Sequence, residues 1–168
     1  MRYIALLIVL TSFAACTRER SYNRVEIYLL RSFTHVYDTT IKPGVSVIRD
    51  PVLESSPLVN DHEIKSYTKA DAIFKLSTDI NDRLKNLGPD KGFAVTLDGD
   101  PVYYGTFHPG YMSSVRLGIA TIDPLFTHDQ LLMNYVLFSG GNPNILQQLD
   151  KRNDPALLAA LQASGRLR

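Results

Sequence analysis

An Asp-Gly dipeptide between two runs of β-forming residues sets the tightest limit on the fold. The first run is Phe93–Leu97 and the second is Val102–Phe107, with Asp98-Gly99-Asp100 between them. Glycine accepts the positive φ that a two-residue turn requires, so this arrangement predicts an antiparallel β-hairpin. Pro101 has no N–H group to donate and is therefore expected only at the start or edge of the second strand.

Three further strands are predicted from their content of β-forming residues and the alternation of apolar and polar positions. They are Val25–Phe33, Ala72–Leu76 and Leu117–Ile122. The stretch Thr34–Asn60 between the first two is interrupted by proline, glycine and serine, which are typical of turns. We therefore expect a loop there, with a short strand at Val45–Ile48.

Helices are predicted where apolar residues recur at a spacing of three or four. The expected segments are Ser77–Leu87, Asp129–Phe138 behind a Thr127 cap, Asn144–Leu149, and Pro155–Ala163 behind an Asp154 cap. Together with the hairpin, this order predicts an α+β fold. The expected architecture is a small antiparallel sheet with a central β-hairpin and helices packed on one face.

The first fifteen residues carry the pattern of an export signal. Arg2 precedes the apolar run Tyr3–Phe13, and the small residues Ala14 and Ala15 then lead to Cys16. An apolar run of this length is too short to span a bilayer, which requires about 20 residues. A basic start, a short apolar run and a small-residue exit are typical of a secretory signal.

The tetrapeptide Phe13-Ala14-Ala15-Cys16 resembles the lipobox of bacterial lipoproteins. The resemblance implies cleavage before Cys16, a thioether-linked diacylglycerol on its sulfur and acylation of the new amino group. No other cysteine is present to form an intramolecular disulfide. The alternative is a plain secreted protein with a chance cysteine. We divide the chain into a signal (1–15), a tether (16–24) and a single domain (25–168).

The lipobox resemblance implies an extracytoplasmic protein of the cell envelope, attached to a membrane through the lipid on Cys16. In a host with two membranes, Thr17 after the cysteine favours the outer membrane. Without Arg2, the rest of the chain has 17 basic and 17 acidic residues. This balance argues against a nucleic-acid partner. An envelope protein or peptide is the expected kind of partner.

The block 61–141 resembles the head subdomain of the first periplasmic domain of SecD, an accessory protein of the Sec translocon. Gly92–Gly99 is similar to that family's hairpin motif, and Phe126–Leu131 is similar to a stretch where a family strand leads into a helix. Phe74–Leu76 followed by the Ser77–Leu87 helix matches its strand-then-helix order. The resemblance implies a shared fold and an extracytoplasmic setting. It implies neither translocation activity nor catalytic residues.

No motif predicts catalysis, a metal site or a cofactor. The four histidines, His35, His62, His108 and His128, form no HExxH motif or close ligand pair. Ser113 does not lie in a Gly-x-Ser-x-Gly elbow. The alternative function is a small envelope hydrolase with an unrecognised site. An arrangement of Ser113, His108 and Asp123 can be imagined, but the sequence does not imply it.

Four ring-bearing residues within eight positions are the candidate binding site: Tyr104, Phe107, His108 and Tyr111. One interpretation is that alternate positions of the hairpin are simply core. The other is that outward-facing rings recognise a peptide, glycan or partner protein, because surface aromatics are favoured interface anchors. The predicted function is a non-enzymatic protein- or ligand-binding module on an envelope-anchored lipoprotein.

Overall fold

The computed structural model describes residues 23–41, 44–136, 144 and 148–168. Residues 1–22, with the signal, Cys16 and most of the tether, lie outside the described residues, so the lipobox stays a prediction. Half of the predicted helix at Asn144–Leu149, residues 145–147, also lies outside them, as does the end of the helix expected to reach Phe138.

The larger of two sheets has six strands in the order β2-β1-β5-β6-β7-β9. These strands are β1 (Val25–Asp38), β2 (Val45–Val59), β5 (Gly92–Leu97), β6 (Asp100–Phe107), β7 (Ala120–Ile122) and β9 (Asn134–Tyr135). All neighbours run antiparallel except β6 and β7, which are parallel. The wholly antiparallel sheet that we expected is therefore wrong at this pair. The connection at 108–119 is long enough for the crossover that parallel strands need.

The second sheet contains β3 (Ile64–Thr68), β4 (Ile73–Leu76) and β8 (Gln130–Leu132), all antiparallel. The described helices are α1 (Asn81–Leu84) and α2 (Pro155–Ala163), together with 3-10 turns at Asp61–Glu63 and Pro124–Phe126. Within the described part of the chain, no helix has the length and apolar character needed to cross a membrane. The α+β class is thus confirmed, although strands dominate and helices are fewer than expected.

Both sheets and α2 contribute to one cluster of buried apolar side chains. Its members include Val25, Ile27, Tyr67, Phe74, Phe93, Phe107, Leu131, Leu157 and Leu161, each with no exposed surface. Contiguous packing of this kind is typical of a single hydrophobic core. The two sheets therefore stabilise each other.

The central hairpin is confirmed. Leu97 pairs with Asp100, so Asp98 and Gly99 form a two-residue turn. Their φ angles are 52° and 89°, both positive as the tight hairpin turn requires. Pro101 lies at the exposed start of β6, where a missing N–H removes little pairing.

The predicted loop at Thr34–Asn60 is wrong, because β1 runs to Asp38 and β2 occupies Val45–Val59. The turn-forming residues are accommodated because β2 is an edge strand, where prolines are tolerated. The register also shifts between Ser32 and Thr34, where Asp50 adopts a positive φ of 50°. This shift is a β-bulge, which bends the strand without ending it.

The helix predicted at Asp129–Phe138 is also wrong. The segment forms β8 and β9, with Leu131 and Met133 buried and Leu132 44% exposed. That alternation has the period of two of a strand, and Ile73 of β4 pairs with Leu132. Thr127 caps no helix there, and its hydroxyl donates to the Asp123 carbonyl.

The other two predicted helices had different outcomes. The one expected at Ser77–Leu87 is reduced to the single turn of α1, with Ile80 and Leu84 buried against the core. Helix α2 is confirmed with its expected bounds. The Asp154 carboxylate accepts a hydrogen bond of 2.9 Å from the Ala156 amide, as a helix cap does.

Candidate functional site

The predicted recognition residues Tyr104, Phe107, His108 and Tyr111 do not form one exposed surface. Phe107 is fully buried and packs edge-on against Phe93, with ring centroids 5.5 Å apart. Its inclusion in a recognition surface is wrong, because the alternation along β6 turns it into the core. Tyr111 is 72% exposed, whereas Tyr104 and His108 are only partly exposed.

The hydrolase arrangement of Ser113, His108 and Asp123 is not assembled. Both Asp123 carboxylate oxygens accept backbone amides, one from Gly110 at 2.9 Å and one from Leu125 at 3.0 Å. The His108 Nε2 atom lies 2.7 Å from the backbone carbonyl oxygen of Ser114. Asp123 therefore holds the loop in shape, and it makes no hydrogen bond to the histidine.

A pocket opens where β6 and β7 diverge. The two strands pair from Gly105–Ala120 to Phe107–Ile122, and the residues that precede this ladder, Tyr104 and Ile119, line a cavity of about 240 Å³. We call it the tyrosine pocket, after Tyr103 and Tyr104 of β6 and Tyr135 of β9. Ser46–Ile48 of β2 complete its wall, together with Leu149, Lys151 and Arg152 from the segment before α2.

Arg152 organises the polar side of the tyrosine pocket. Its guanidinium forms an ion pair of 2.6 Å with Asp150 and donates to the Met133 carbonyl at 2.7 Å. The same group lies 5.2 Å from the centre of the Tyr135 ring, within cation–π range. The Tyr67 hydroxyl donates to the Arg152 carbonyl at 2.8 Å. Strands of both sheets are thereby connected to this segment.

Two tyrosine hydroxyls in this region have no hydrogen-bond partner among the described residues. The Tyr103 and Tyr135 oxygens are both buried. Burial raises the pKa of both phenols, so each keeps its proton and is a hydrogen-bond donor at neutral pH. A buried donor without an acceptor costs about 1–3 kcal/mol, and such a group in a native structure calls for an explanation.

The chemistry of the tyrosine pocket suits binding. Apolar groups, including the side chains of Ile48, Val102 and Ile119, form most of the lining surface, and the polar groups at its side are phenols, cations and the Ser46 hydroxyl. Lys151 is exposed and has no ion-pair partner within the described ranges. An apolar cavity with a few convergent polar groups is the usual form of a ligand site.

A second cavity lies beneath the β1–β2 hairpin, with a volume of about 280 Å³, and is lined by Phe33, His35, Asp90, Thr106 and Arg116. Arg116 forms an ion pair with Asp90, so the charges in this cavity are already matched. Burial, together with the Arg116 charge, lowers the pKa of His35. In the residues that the structure describes, no group of three or more His, Cys, Asp or Glu side chains could hold a metal.

Sequence reasoning found Tyr104 but missed Tyr135 and Arg152. These two residues enter the site from β9 and from the segment before α2, far along the chain from the hairpin. The sequence places Tyr135 within the helix predicted at Asp129–Phe138, and no local pattern marks Arg152. Comparison with protein-family models, curated proteins and solved structures gives no significant match to the chain.

Proposed function

We propose that this chain is a non-enzymatic ligand-binding module of an envelope-anchored lipoprotein, with the tyrosine pocket as its binding site. The observation that carries the proposal is a pair of buried phenols that have no acceptor among the described residues, in the wall of a largely apolar cavity. A ligand acceptor would satisfy these donors, and the aliphatic lining would bury an apolar body.

The hydroxyls lie within the wall, so a ligand reaches them through a small rotation of a tyrosine ring. Side-chain rotations of this kind are common when proteins bind their partners. Tyr135 is suited to such a movement because it is only partly buried and comes from the short edge strand β9. Arg152 would continue to contact the ring face and limit the rotation.

The envelope location rests on the sequence. The short apolar run ending at Cys16 supports cleavage before this cysteine and lipid attachment to it, which would keep the module beside a membrane. The likeness to the SecD periplasmic head rests on Gly92–Gly99, on Phe74–Leu76 with the helix expected after it, and on Phe126–Leu131. It is weakened at Gln130–Leu132, where the chain forms a strand and the resemblance implies a helix.

The tyrosine pocket favours binding over hydrolysis. Ser46 lines it and could in principle act as a nucleophile, but a serine requires an adjacent base. The described lining residues include no histidine, aspartate or glutamate. The hydrolase alternative therefore has no observation in its favour.

The chain contains no tryptophan, which permits a sharp test of the site. Ile48→Trp introduces a single fluorophore at the pocket on the edge strand β2, where Ile48 is partly exposed. Val52→Trp introduces one on the same strand, outside the pocket, at a position 37% exposed. Fractions of an envelope extract are titrated against both variants.

We expect at least one fraction to shift the emission of the Ile48→Trp variant and to leave the Val52→Trp variant unchanged. Native mass spectrometry of the wild-type chain then shows whether the bound ligand is released chemically unchanged. A response shared by both variants would place binding elsewhere. Conversion of the ligand by the protein would establish an enzyme.

A further inference from the structure

The edge of β6 beside the tyrosine pocket is open. Strand β5 pairs with β6 from Asp100 to Thr106, whereas β7 pairs only with Gly105–Phe107 on the other side. Residues Val102–Tyr104 therefore have no strand partner on that side within the described chain. An unpaired strand edge presents free N–H and C=O groups that can pair with an incoming extended segment.

The same three residues, Val102–Tyr104, also line the pocket. A segment paired with this edge would enter beside Gly118 and Ile119, ahead of the Gly105–Ala120 pair, and its side chains would lie against the aliphatic lining. The cavity volume of about 240 Å³ corresponds to roughly eight waters at about 30 Å³ each. That is less than the ~300–1,000 Å³ of pockets that enclose whole small molecules, and it suits a short part of a longer ligand.

The polar groups at the pocket favour a ligand that carries a hydrogen-bond acceptor. Tyr103 and Tyr135 present donors, and Lys151 presents an ammonium group with no ion-pair partner in the described part of the chain. Arg152 is paired with Asp150, so this triplet of consecutive residues, 150–152, keeps a net charge of +1. A carboxylate is the common biological group that satisfies both a cation and phenolic donors.

We infer that the tyrosine pocket receives a carboxylate-bearing extended peptide, which pairs with the open edge of β6 and directs its carboxylate toward Lys151 and the two phenols. This inference rests on the proposed function and specifies its ligand. The carboxylate is either the C-terminus of the peptide or an acidic side chain. Both sources present the same carboxylate group, and peptides that differ in its position distinguish them.

Three peptides are titrated calorimetrically against the full chain in detergent. The first is a five-residue peptide of apolar β-forming residues with a free C-terminal carboxylate, the second is its C-terminal amide, and the third is the amide with one internal glutamate. We expect the first or the third to bind at least about tenfold more tightly than the second, the difference that one charge-assisted hydrogen bond provides. Equal binding of all three, or binding of none, would overturn the inference.

Two variants test the proposed contacts. Lys151→Gln should weaken the tighter peptide about tenfold and leave the neutral amide unaffected. Lys69→Gln is the matched control, because Lys69 is exposed and lies outside the pocket. Tyr135→Phe should weaken the same peptide severalfold. An unchanged affinity in both Lys151→Gln and Tyr135→Phe would show that the carboxylate lies elsewhere.

Amide hydrogen exchange tests the strand pairing separately. Peptide binding should slow exchange at Val102–Tyr104 about tenfold or more and leave the exposed loop near Tyr111 unchanged. Protection elsewhere alone would contradict pairing at this edge. If an envelope fraction shifts the Ile48→Trp emission but no carboxylate peptide binds, the ligand-binding function stands and the peptide inference fails.

Discussion

The Glu63 carboxylate lies where the larger sheet passes into the smaller one, and its surroundings are built for the charged form. It accepts hydrogen bonds from the Asn60 amide at 2.8 Å and from the Arg83 guanidinium at 2.6 Å. The Arg83 hydrogen bond is the main reason that the pKa of Glu63 falls from 4.5 to about 2. Arg83 also donates to the Leu58 carbonyl at 2.7 Å, so the pair connects β2 to α1.

Glu63→Gln tests this pair through pH. The pKa is lower in the folded state, so the stabilisation by Glu63 is complete above about pH 4.5 and is lost as the pH falls toward 2. The lowering of the pKa from 4.5 to about 2 corresponds to roughly 3 kcal/mol at neutral pH. Urea unfolding should show the variant less stable by about this amount at pH 7, and the difference from wild type should shrink by pH 3. A difference independent of pH would refute the electrostatic explanation.

Gly105 provides a second test at the residue scale. It pairs with Phe93 across β5 and β6, and the Phe93 ring lies over it. A Cβ atom at Gly105 would also lie 2.5 Å from the Ala120 carbonyl oxygen, which is backbone and cannot rotate away. Gly105→Ala should therefore destabilise the chain by about 1–3 kcal/mol, as overpacking of a core does. Thermal unfolding measures the loss, and a neutral result would mean that β6 and β7 are less closely paired.

Gly88→Ala is the matched control for that experiment. Gly88 is exposed, and a Cβ atom there would have no neighbour within 4 Å. The same chemical change should leave the melting temperature almost unchanged. A similar loss in both variants would point to a general effect of replacing glycine rather than to crowding at the β6–β7 pair.

At the scale of elements, the hairpin was predictable because its signal is local. Two residues, Asp98 and Gly99, set the turn, and the flanking runs supply the strands. Helix α2 was predictable for the same reason, since Asp154 and Pro155 mark its start. The β1–β2 pairing was not, because the prolines of β2 are tolerated only by virtue of its place at the sheet edge.

The segment of β8 and β9 shows the same limit. Leu132, Tyr135 and Val136 have the spacing of a helix face, yet Leu131 and Met133 are the residues that are buried. Pairing with β4 and β7 decides the outcome, and β4 lies far from this segment in the sequence. The tyrosine pocket is hard to predict for the same reason, because Tyr135 lines it together with Tyr103 only when β9 is paired in the sheet.

Gly99→Val tests the hairpin as an element. Gly99 has a φ of 89° and open space around it, so a valine there would be strained by its backbone and by nothing else. We expect a loss of about 1–3 kcal/mol in the free energy of unfolding, measured with urea. Gly88→Val serves as the control, because Gly88 is exposed and has no positive φ. A smaller loss at Gly99 than at Gly88 would exclude strain in the turn.

At the scale of the whole molecule, the two ends of the described domain are hydrogen-bonded to the same residue, Asp61. Asp61 accepts hydrogen bonds from the Val25 amide at 2.8 Å and from the Arg166 guanidinium at 2.7 Å. Leu167 also forms a bridge beside Tyr67, which extends the smaller sheet by one position. The start of β1, the 3-10 turn at Asp61–Glu63 and the C-terminal residues are thus held together where the proposed tether joins the domain.

In the proposed lipoprotein, attachment to the membrane would not depend on the packing of the domain. The tether at 16–24 ends where β1 begins, and Val25 is already fully buried at the start of the core. A lipid on Cys16 would therefore hold the domain at a membrane without entering its packing. The tyrosine pocket draws its residues from β2, β6, β7 and β9, from the residues just before β7 and from the segment before α2, and none of them belongs to the tether.

Cys16→Ser tests the anchor directly, because a hydroxyl cannot take the thioether-linked lipid that the lipobox implies. In the bacterial host we expect the variant to accumulate as precursor and to lose labelling by a fatty-acid analogue. Thr17→Ala changes the neighbouring residue and should leave processing and labelling intact. Immunoblotting of membrane and soluble fractions gives the sizes. A Cys16→Ser protein of mature size that stays in the membrane fraction would disprove lipid anchoring at this cysteine, and ordinary secretion with cleavage near residue 15 would then be the better explanation.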